Sequence, residues 1–317
     1  MPAGHFNESD EEITVAEALF VGDAGMDLTL VADHFPEPDE KVHVAAVHEA
    51  GGGVVANAAV AARRAGASVR MLVQLGRDAT GQAVRDALEA AGLAVDASFV
   101  PGRTCRVFII LEPHGEKRLF LDEGVSMFPA LAEVEAVSLQ HVGWVHTAPY
   151  AAEAADLAGR CRREGIPLSF DLEPAVLRGG LSPLARLIEG AAAVFCNDRA
   201  ASMLGSDPSG TLLAAGARAV ILTRGARGVR FVENGKPPVD IASPVAPRVQ
   251  DTTGAGDCLA GWFVAGRLAG AAPVAALTEA VAAAALSCET TGAQAAFPDR
   301  PALAAFLARS SIPHHVT

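Results

Sequence analysis

With 317 residues, the chain is long enough to bury a large core without disulfides or metals. Its 37 acidic and 25 basic side chains leave a formal net charge of −12, which argues against a general nucleic-acid binder with a basic face. Half of the residues are hydrophobic and only 20% are charged, so intrinsic disorder is excluded.

The first sixteen residues, MPAGHFNESDEEITVA, are polar and acidic and lack the apolar centre of a signal peptide. Residues 18–21 form a short apolar run ending at Gly22, which predicts a buried first strand. Residues 28–33 and 42–47 alternate on either side of the turn-rich FPEPDE, the pattern of a β-hairpin. Gly51, Gly52 and Gly53 lead into the alanine-rich VVANAAVAARRAGA, a helix stopped at Gly66. A strand over 69–75 and a helix over 81–91, closed by Gly92, come next. Residues 104–122 break the rhythm and predict a second hairpin, turning at His114 and Gly115. Strands at 143–146, 168–171, 193–196 and 219–223 then alternate with helices near 152–164, 181–189 and 209–216. A helical block closes the chain over 255–309. Within it, Leu268 to Ser287, broken by Pro273 and Glu279, reads as a buried helix pair rather than a membrane span.

This alternation implies a doubly wound, mostly parallel sheet with helices on both faces. The two hairpins fall outside it and are assigned to a small β-sheet lid, about 28–50 and 102–124. No linker divides the chain, so 1–317 is expected to be a single α/β domain with its lid. The five cysteines (Cys105, Cys161, Cys196, Cys258 and Cys288) form no CxxC pair, which points to reduced thiols in a soluble cytoplasmic protein. Metal, membrane and nucleic-acid signatures are missing: His48-Glu49 has no second His at helical spacing, and the other histidines read as strand or turn residues.

The segment that carries chemistry is DTTGAGDCLAGWFVAG, residues 251–266. Leu259, Trp262 and Phe263 follow the glycines at helical spacing, so Gly254, Ala255 and Gly256 stand at a helix N-terminus. Unpaired amides and the positive end of the helix dipole make an anion site there. Asp257, in the first turn, is placed to take a proton from a hydroxyl while a phosphoryl group is held beside it. Two other glycine patterns fail as nucleotide motifs. Gly51, Gly53 and Ala56 satisfy G-x-G-x-x-A, but the acidic residue expected downstream, Asp78, arrives late. Gly76 to Ala83 has P-loop spacing without its Lys and Ser/Thr.

DTTGAGD followed by an apolar helix closely resembles the C-terminal signature of the ribokinase-like (PfkB) carbohydrate kinases. Gly52, Gly53, Asn57 and AVAARRAGA resemble that family's N-terminal signature, and Gly76, Asp78 and Gly81 its GxDxxG continuation. The resemblance implies a doubly wound α/β fold with a β lid and ATP-dependent transfer of the γ-phosphoryl group to a sugar hydroxyl. It implies Asp257 as base and the amides of Gly254, Ala255 and Gly256 as anion hole. It places Asp27, Gly52, Gly53 and Asn57 on the sugar. On the nucleotide side it places Asn197, Thr223, Gly225 and Gly228, with TTGAQAAFP (290–298) bordering the adenine. Mg2+ is implied with ATP, and many members bind a monovalent cation such as K+ near the anion hole. Lid hairpins of the family often pair between subunits, so a homodimer is expected.

One position departs from the family. Where an N-x-x-E motif is usual, this chain has Asn197-Asp198-Arg199-Ala200, so Asp198 or water must replace the Glu, or metal handling differs. No residue is therefore assigned to the metal. Similar divergence in ketohexokinase-like and sulfofructose-kinase-like members favours a ketose such as fructose, with a ribose-like sugar as the alternative. A nucleoside or an anionic sugar stays open; for the latter, Arg106, Lys117 or Arg118 of the second hairpin would meet the anionic group. A catalytically impaired sugar- or nucleotide-binding protein of the same fold is the competing class.

Overall fold

The first strand shows how the body is layered. In β1 (Glu17–Val21), Ala18 and Phe20 enter one buried core while Leu19 and Val21 enter another on the opposite face, as a period of two demands of a strand covered on both sides. The computed structural model describes residues 16–112, 116–244, 246 and 248–309. In chain order β1 is followed by β2 (Gly25–Ala32), β3 (Val44–Gly52), α1 (Val54–Arg64), β4 (Val69–Gly76), α2 (Ala79–Ala90) and β5 (Ala94–Val100). Next come β6 (Cys105–Leu111), β7 (Lys117–Asp122), α3 (Leu131–Ala136), β8 (Val142–Thr147), α4 (Glu153–Glu164) and β9 (Leu168–Leu172). Then come α5 (Ala185–Ile188), β10 (Ala193–Asn197), α6 (Asp198–Met203), α7 (Pro208–Ala214), β11 (Ala219–Thr223), β12 (Val229–Glu233) and β13 (Val239–Ile241). Helices α8 (Ala255–Leu268), α9 (Pro273–Ser287) and α10 (Arg300–Arg309) complete the order.

The main sheet has nine strands in the order β13-β12-β11-β10-β9-β8-β1-β4-β5. Every pairing from β11 to β5 is parallel, while β12 and β13 add an antiparallel edge. Helices α1, α8 and α9 bury alanines, Trp262 and Phe263 on one face; α4 and α5 bury Leu157, Leu187 and Ile188 on the other. Strand order reverses at β1, which lies between β4 and β8. In doubly wound sheets a crevice opens at the carboxyl ends of the strands at such a reversal.

The two hairpins form a separate four-stranded sheet, β3-β2-β6-β7, joined by the parallel pairing of β2 with β6. The turn expected at His114 and Gly115 lies outside the described residues, although β6 and β7 pair antiparallel on either side of it. Three expectations change. The 181–189 helix shrinks to a 3-10 turn and α5, because Gly180 takes a left-handed φ of 72° and Pro183 opens the turn. Leu268 to Ser287 is not a helix pair: it is the end of α8, a turn at Gly270 and the single helix α9, in which Pro273 sits at the first turn and Glu279 is exposed. Strands β5, β12 and β13 went unread, since neither a clean alternation nor a long apolar run marks them.

Candidate active site

The N-terminus of α8 is built around Gly254, which caps it in the left-handed region at φ 75°. A Cβ there would lie 2.8 Å from the Ala293 Cβ and 3.1 Å from the Phe297 ring, so only glycine fits. Gly256 faces open space. The amides of Gly254 and Gly256 have no backbone partner among the described residues, while that of Ala255 makes a long 3.3 Å bond to the Thr252 carbonyl. Unpartnered amides at the positive end of a helix dipole are the elements from which anion sites are made.

Asp257 follows in the first turn. Asn57 Nδ2 of α1 donates to its Oδ2 at 2.8 Å, and Gln294 Nε2 donates to Asn57 Oδ1 at 3.0 Å. The chain Gln294–Asn57–Asp257 holds the carboxyl in one orientation. It exists because α1 and α8 cross in close contact: a Cβ on Gly261 would overlap the Ala58 carbonyl and lie 2.7 Å from the Ala61 Cβ. Burial, together with the negative charges of Glu173, Asp23 and Asp27, pushes the Asp257 pKa up to about 8 against the opposing Asn57 hydrogen bond.

Asp27 lies on β2 directly beneath the glycines. A Cβ on Gly52 would overlap its carboxylate, and burial raises its pKa to about 6. Gly53 takes φ 105°, where a Cβ would lie 2.8 Å from the Asp23 carbonyl oxygen. The structure thus brings Asp27, Gly52, Asn57 and Asp257 to one place. Asn57 is 5% exposed and its carboxamide is spent on Asp257 and Gln294, so it orients the Asp257 carboxyl.

Sequence reasoning missed four residues here. Asp23, just beyond β1, accepts from the amides of Val54 at 2.8 Å and Val55 at 3.0 Å and so caps α1. Asp171 on β9 has its pKa pushed well up by burial and by the charges of Glu173, Asp257 and Asp23. Glu173 accepts a 2.7 Å hydrogen bond from the Tyr150 hydroxyl. Gln294 is the fourth. The available signal was position: Asp23 stands at the carboxyl end of β1, where the order reverses, and Asp171 and Glu173 at that of β9, two strands away.

Three of the four residues expected on the nucleotide side line a largely apolar cavity of about 380 Å³. They are Thr223, Gly225 and Gly228, and Ala255 and Gly256 of the first turn of α8 line it with them. Gly228 has φ 83°, and a Cβ there would overlap the Ile241 carbonyl. Residues 290–298 do not border this cavity. Gln294 turns to Asn57 and Phe297 packs under Gly254, while Val281, Ala284 and Cys288 of α9 and its end supply that wall. Asn197 does not line it either: its side chain caps α6 by accepting from the Ala200 amide at 2.8 Å. Asp198 is exposed and paired with Arg227 at 2.9 Å, and Ala200 is buried. Asp78 serves the fold by capping α2 and binding Thr104. The three hairpin cations are also spent. Arg106 bonds Thr80 at 2.6 Å, Lys117 pairs with Asp251 at 2.6 Å, and Arg118 pairs with Glu112.

Among the described residues no group of three or more His, Cys, Asp or Glu side chains is arranged to hold a metal, and no helix is long and apolar enough to cross a membrane. Residues 15–300 match the family described as pfkB family carbohydrate kinase. The ribokinase of Bacillus subtilis (strain 168) is 28% identical over 290 residues, covering 88% of this chain and 95% of that protein. The crystal structure of a Thermotoga maritima ribokinase superposes with a TM-score of 0.80 at 25% identity, covering 93% of this chain and all of that one. A microbiome-derived acarbose kinase shares the fold with a TM-score of 0.81 at 23% identity, covering 93% and 99% of the two chains.

Proposed function

Since this chain belongs to the pfkB family of carbohydrate kinases, we propose that it uses ATP to phosphorylate a hydroxyl of a small uncharged carbohydrate, a ketose such as fructose or a ribose-like sugar. It is a phosphotransferase with an alcohol group as acceptor. The observation that carries the mechanism is the Gln294–Asn57–Asp257 chain beside the free amides of Gly254 and Gly256. Asp257 takes the hydroxyl proton as the acceptor oxygen bonds to the γ-phosphorus and the bond to the β-phosphate oxygen breaks, releasing ADP. The amides hold the charge of the transferring group, and Asp27 with the Gly52–Gly53 backbone orients the sugar.

Mg2+ fits a site of this kind, because it is bound by substrate phosphates and only one or two carboxylates rather than by a protein cage. Asp171, whose pKa is pushed well up by burial and by the charges of Glu173, Asp257 and Asp23, and its neighbour Glu173 are the residues that would hold it or its waters. When bound it supplies charge neutralisation on the phosphates. An uncharged acceptor is supported by Arg106, Lys117 and Arg118, all of which have protein partners. A cytoplasmic location and a homodimer through a closing small sheet complete the proposal.

The test is a coupled ADP-release assay over ketoses, pentoses, nucleosides, aldonates and phosphorylated or sulfonated sugars. Turnover confined to neutral sugars is expected, and preference for an anionic acceptor overturns the substrate assignment. The buried Ala200 in place of a Glu favours a second reading, a binder without catalysis. Sugar binding with no ADP release anywhere in the panel decides for that reading.

A further inference from the structure

Asp251, three residues ahead of Gly254, accepts from four protein donors. Its Oδ1 takes Lys117 Nζ at 2.6 Å, Thr253 Oγ1 at 2.6 Å and the Thr253 amide at 3.0 Å, and its Oδ2 takes the Gly292 amide at 2.9 Å. Lys117 Nζ also bonds Thr253 Oγ1. With three donors on Oδ1 and one on Oδ2, the Oδ1 positions of this carboxylate are fully taken and one position remains on Oδ2. Although burial opposes it, the Lys117 ammonium and the hydrogen bonds from Thr253 and Gly292 hold the Asp251 carboxyl well below the usual carboxylate range.

The carboxylate joins the loop that forms the anion hole to residue 292, two positions from Gln294, which in turn holds Asn57 and Asp257. Its counter-charge comes from elsewhere. Lys117 begins β7 and is 134 positions away in sequence. In the register of the small sheet Asp27 pairs with Val107 and Val107 with Leu121, so Leu121, Leu119 and Lys117 share the face that carries Asp27. The pair is largely shielded, with side-chain exposures of 27% and 11%. The small sheet thus reaches across the cleft and plants an ammonium at the base of the catalytic loop.

We propose that Lys117 is a positioning residue, a tethered cation that fixes the anion-hole loop and makes a free monovalent cation unnecessary there. A free cation such as K+ would have to displace the Lys117 ammonium from Asp251 Oδ1, the oxygen that already takes three protein donors. The proposal rests on the kinase reading only in taking residues 254–256 as the phosphate site. Its test uses ADP with Mg2+ as probe, so a failure to find a sugar substrate leaves it standing or falling on its own.

The measurement is ADP affinity by calorimetry in potassium chloride and in choline chloride at equal ionic strength, with melting curves alongside. Wild type is expected to bind ADP within about two-fold in the two salts. K117A is expected to bind at least ~10-fold more weakly in choline, the effect of losing a charge-assisted hydrogen bond. Part of that loss returns with K+ or ammonium, and K117R retains affinity. Wild-type binding that collapses without K+ overturns the proposal, as does K117A binding like wild type in choline. Equal loss in K117A and K117R with no rescue by cations also overturns it. If K117A does not fold, the wild-type salt comparison and K117R still decide.

Discussion

Asp257 is a carboxyl kept in a place that resists its ionisation. Burial and three neighbouring acids raise its pKa to about 8, while Asn57 alone favours the charged form. Asp257→Asn is therefore expected to lower kcat at least ~10²-fold, the range for removing a general base, while ADP binding persists; calorimetry and turnover check both. The same substitution bears on stability. A carboxyl whose folded pKa lies above its unfolded value of 3.8 costs the fold stability as pH rises from about 4 to about 8. Asp257→Asn is expected to raise Tm more at pH 8.5 than at pH 5, by about 2–4 °C for each kcal/mol recovered. In the free enzyme kcat/KM should rise with pH through the region near 8, and a flat profile from pH 6 to 9 refutes Asp257 as the titrating base. Asn57→Ala leaves the Asp257 carboxyl unheld, so kcat is expected to fall along with a rise in KM; an effect on KM alone shows that Asn57 serves only the substrate.

Helix α1 reads plainly from its alanines, but the sequence does not say what those alanines approach. They let α1 lie close beside α8 on one face of the main sheet, and Gly261 removes the last obstacle at the crossing. Gly261→Ala places a methyl group on the Ala58 carbonyl and should cost roughly 1–3 kcal/mol, the usual overpacking range. Because Asn57 and Asp257 lie one turn away on the same helices, kcat should drop with it; denaturant midpoints and turnover test the two separately. The small sheet shows a similar division. Both hairpins were legible from alternation around turns, whereas their parallel joint, β2 with β6, depends on segments some 80 residues apart. The face opposite Asp27 presents Val47 and Phe120, 53% and 52% exposed. If this face pairs two subunits, Phe120→Asp should convert a dimer into a monomer in light scattering. A wild type that is already monomeric refutes the pairing.

At the scale of the molecule, two cores on either side of one sheet give the stability, and a histidine lies among them. His146 is fully buried between Phe20 and Phe195, with Nδ1 at 2.9 Å from Ser169 Oγ, and burial pushes its pKa down to about 3. The unfolded chain takes up a proton near pH 6.5 that the folded chain refuses, so the histidine lowers stability as pH falls from 6.5 toward 3. Asp23 and Asp27, raised to about 6, act in the opposite sense, so the difference between wild type and His146→Gln isolates the histidine. That difference should favour the variant increasingly from pH 6.5 to pH 4.5 in urea titrations, and a pH-independent difference refutes it. The sequence by itself determined the layered α/β body, the two hairpins and the amide nest before Asp257, because these depend on hydrophobic period, turn residues and a string of seven adjacent residues. Only the tertiary structure decided what holds Asp257 and the loop before it. Asn57 meets Asp257 across 200 positions, Gln294 meets Asn57 across 237, and Lys117 meets Asp251 across 134. Such hydrogen bonds arise where two helices cross and where the small sheet reaches the loop before α8, and no local pattern of residues records which distant side chains will be brought within 3 Å.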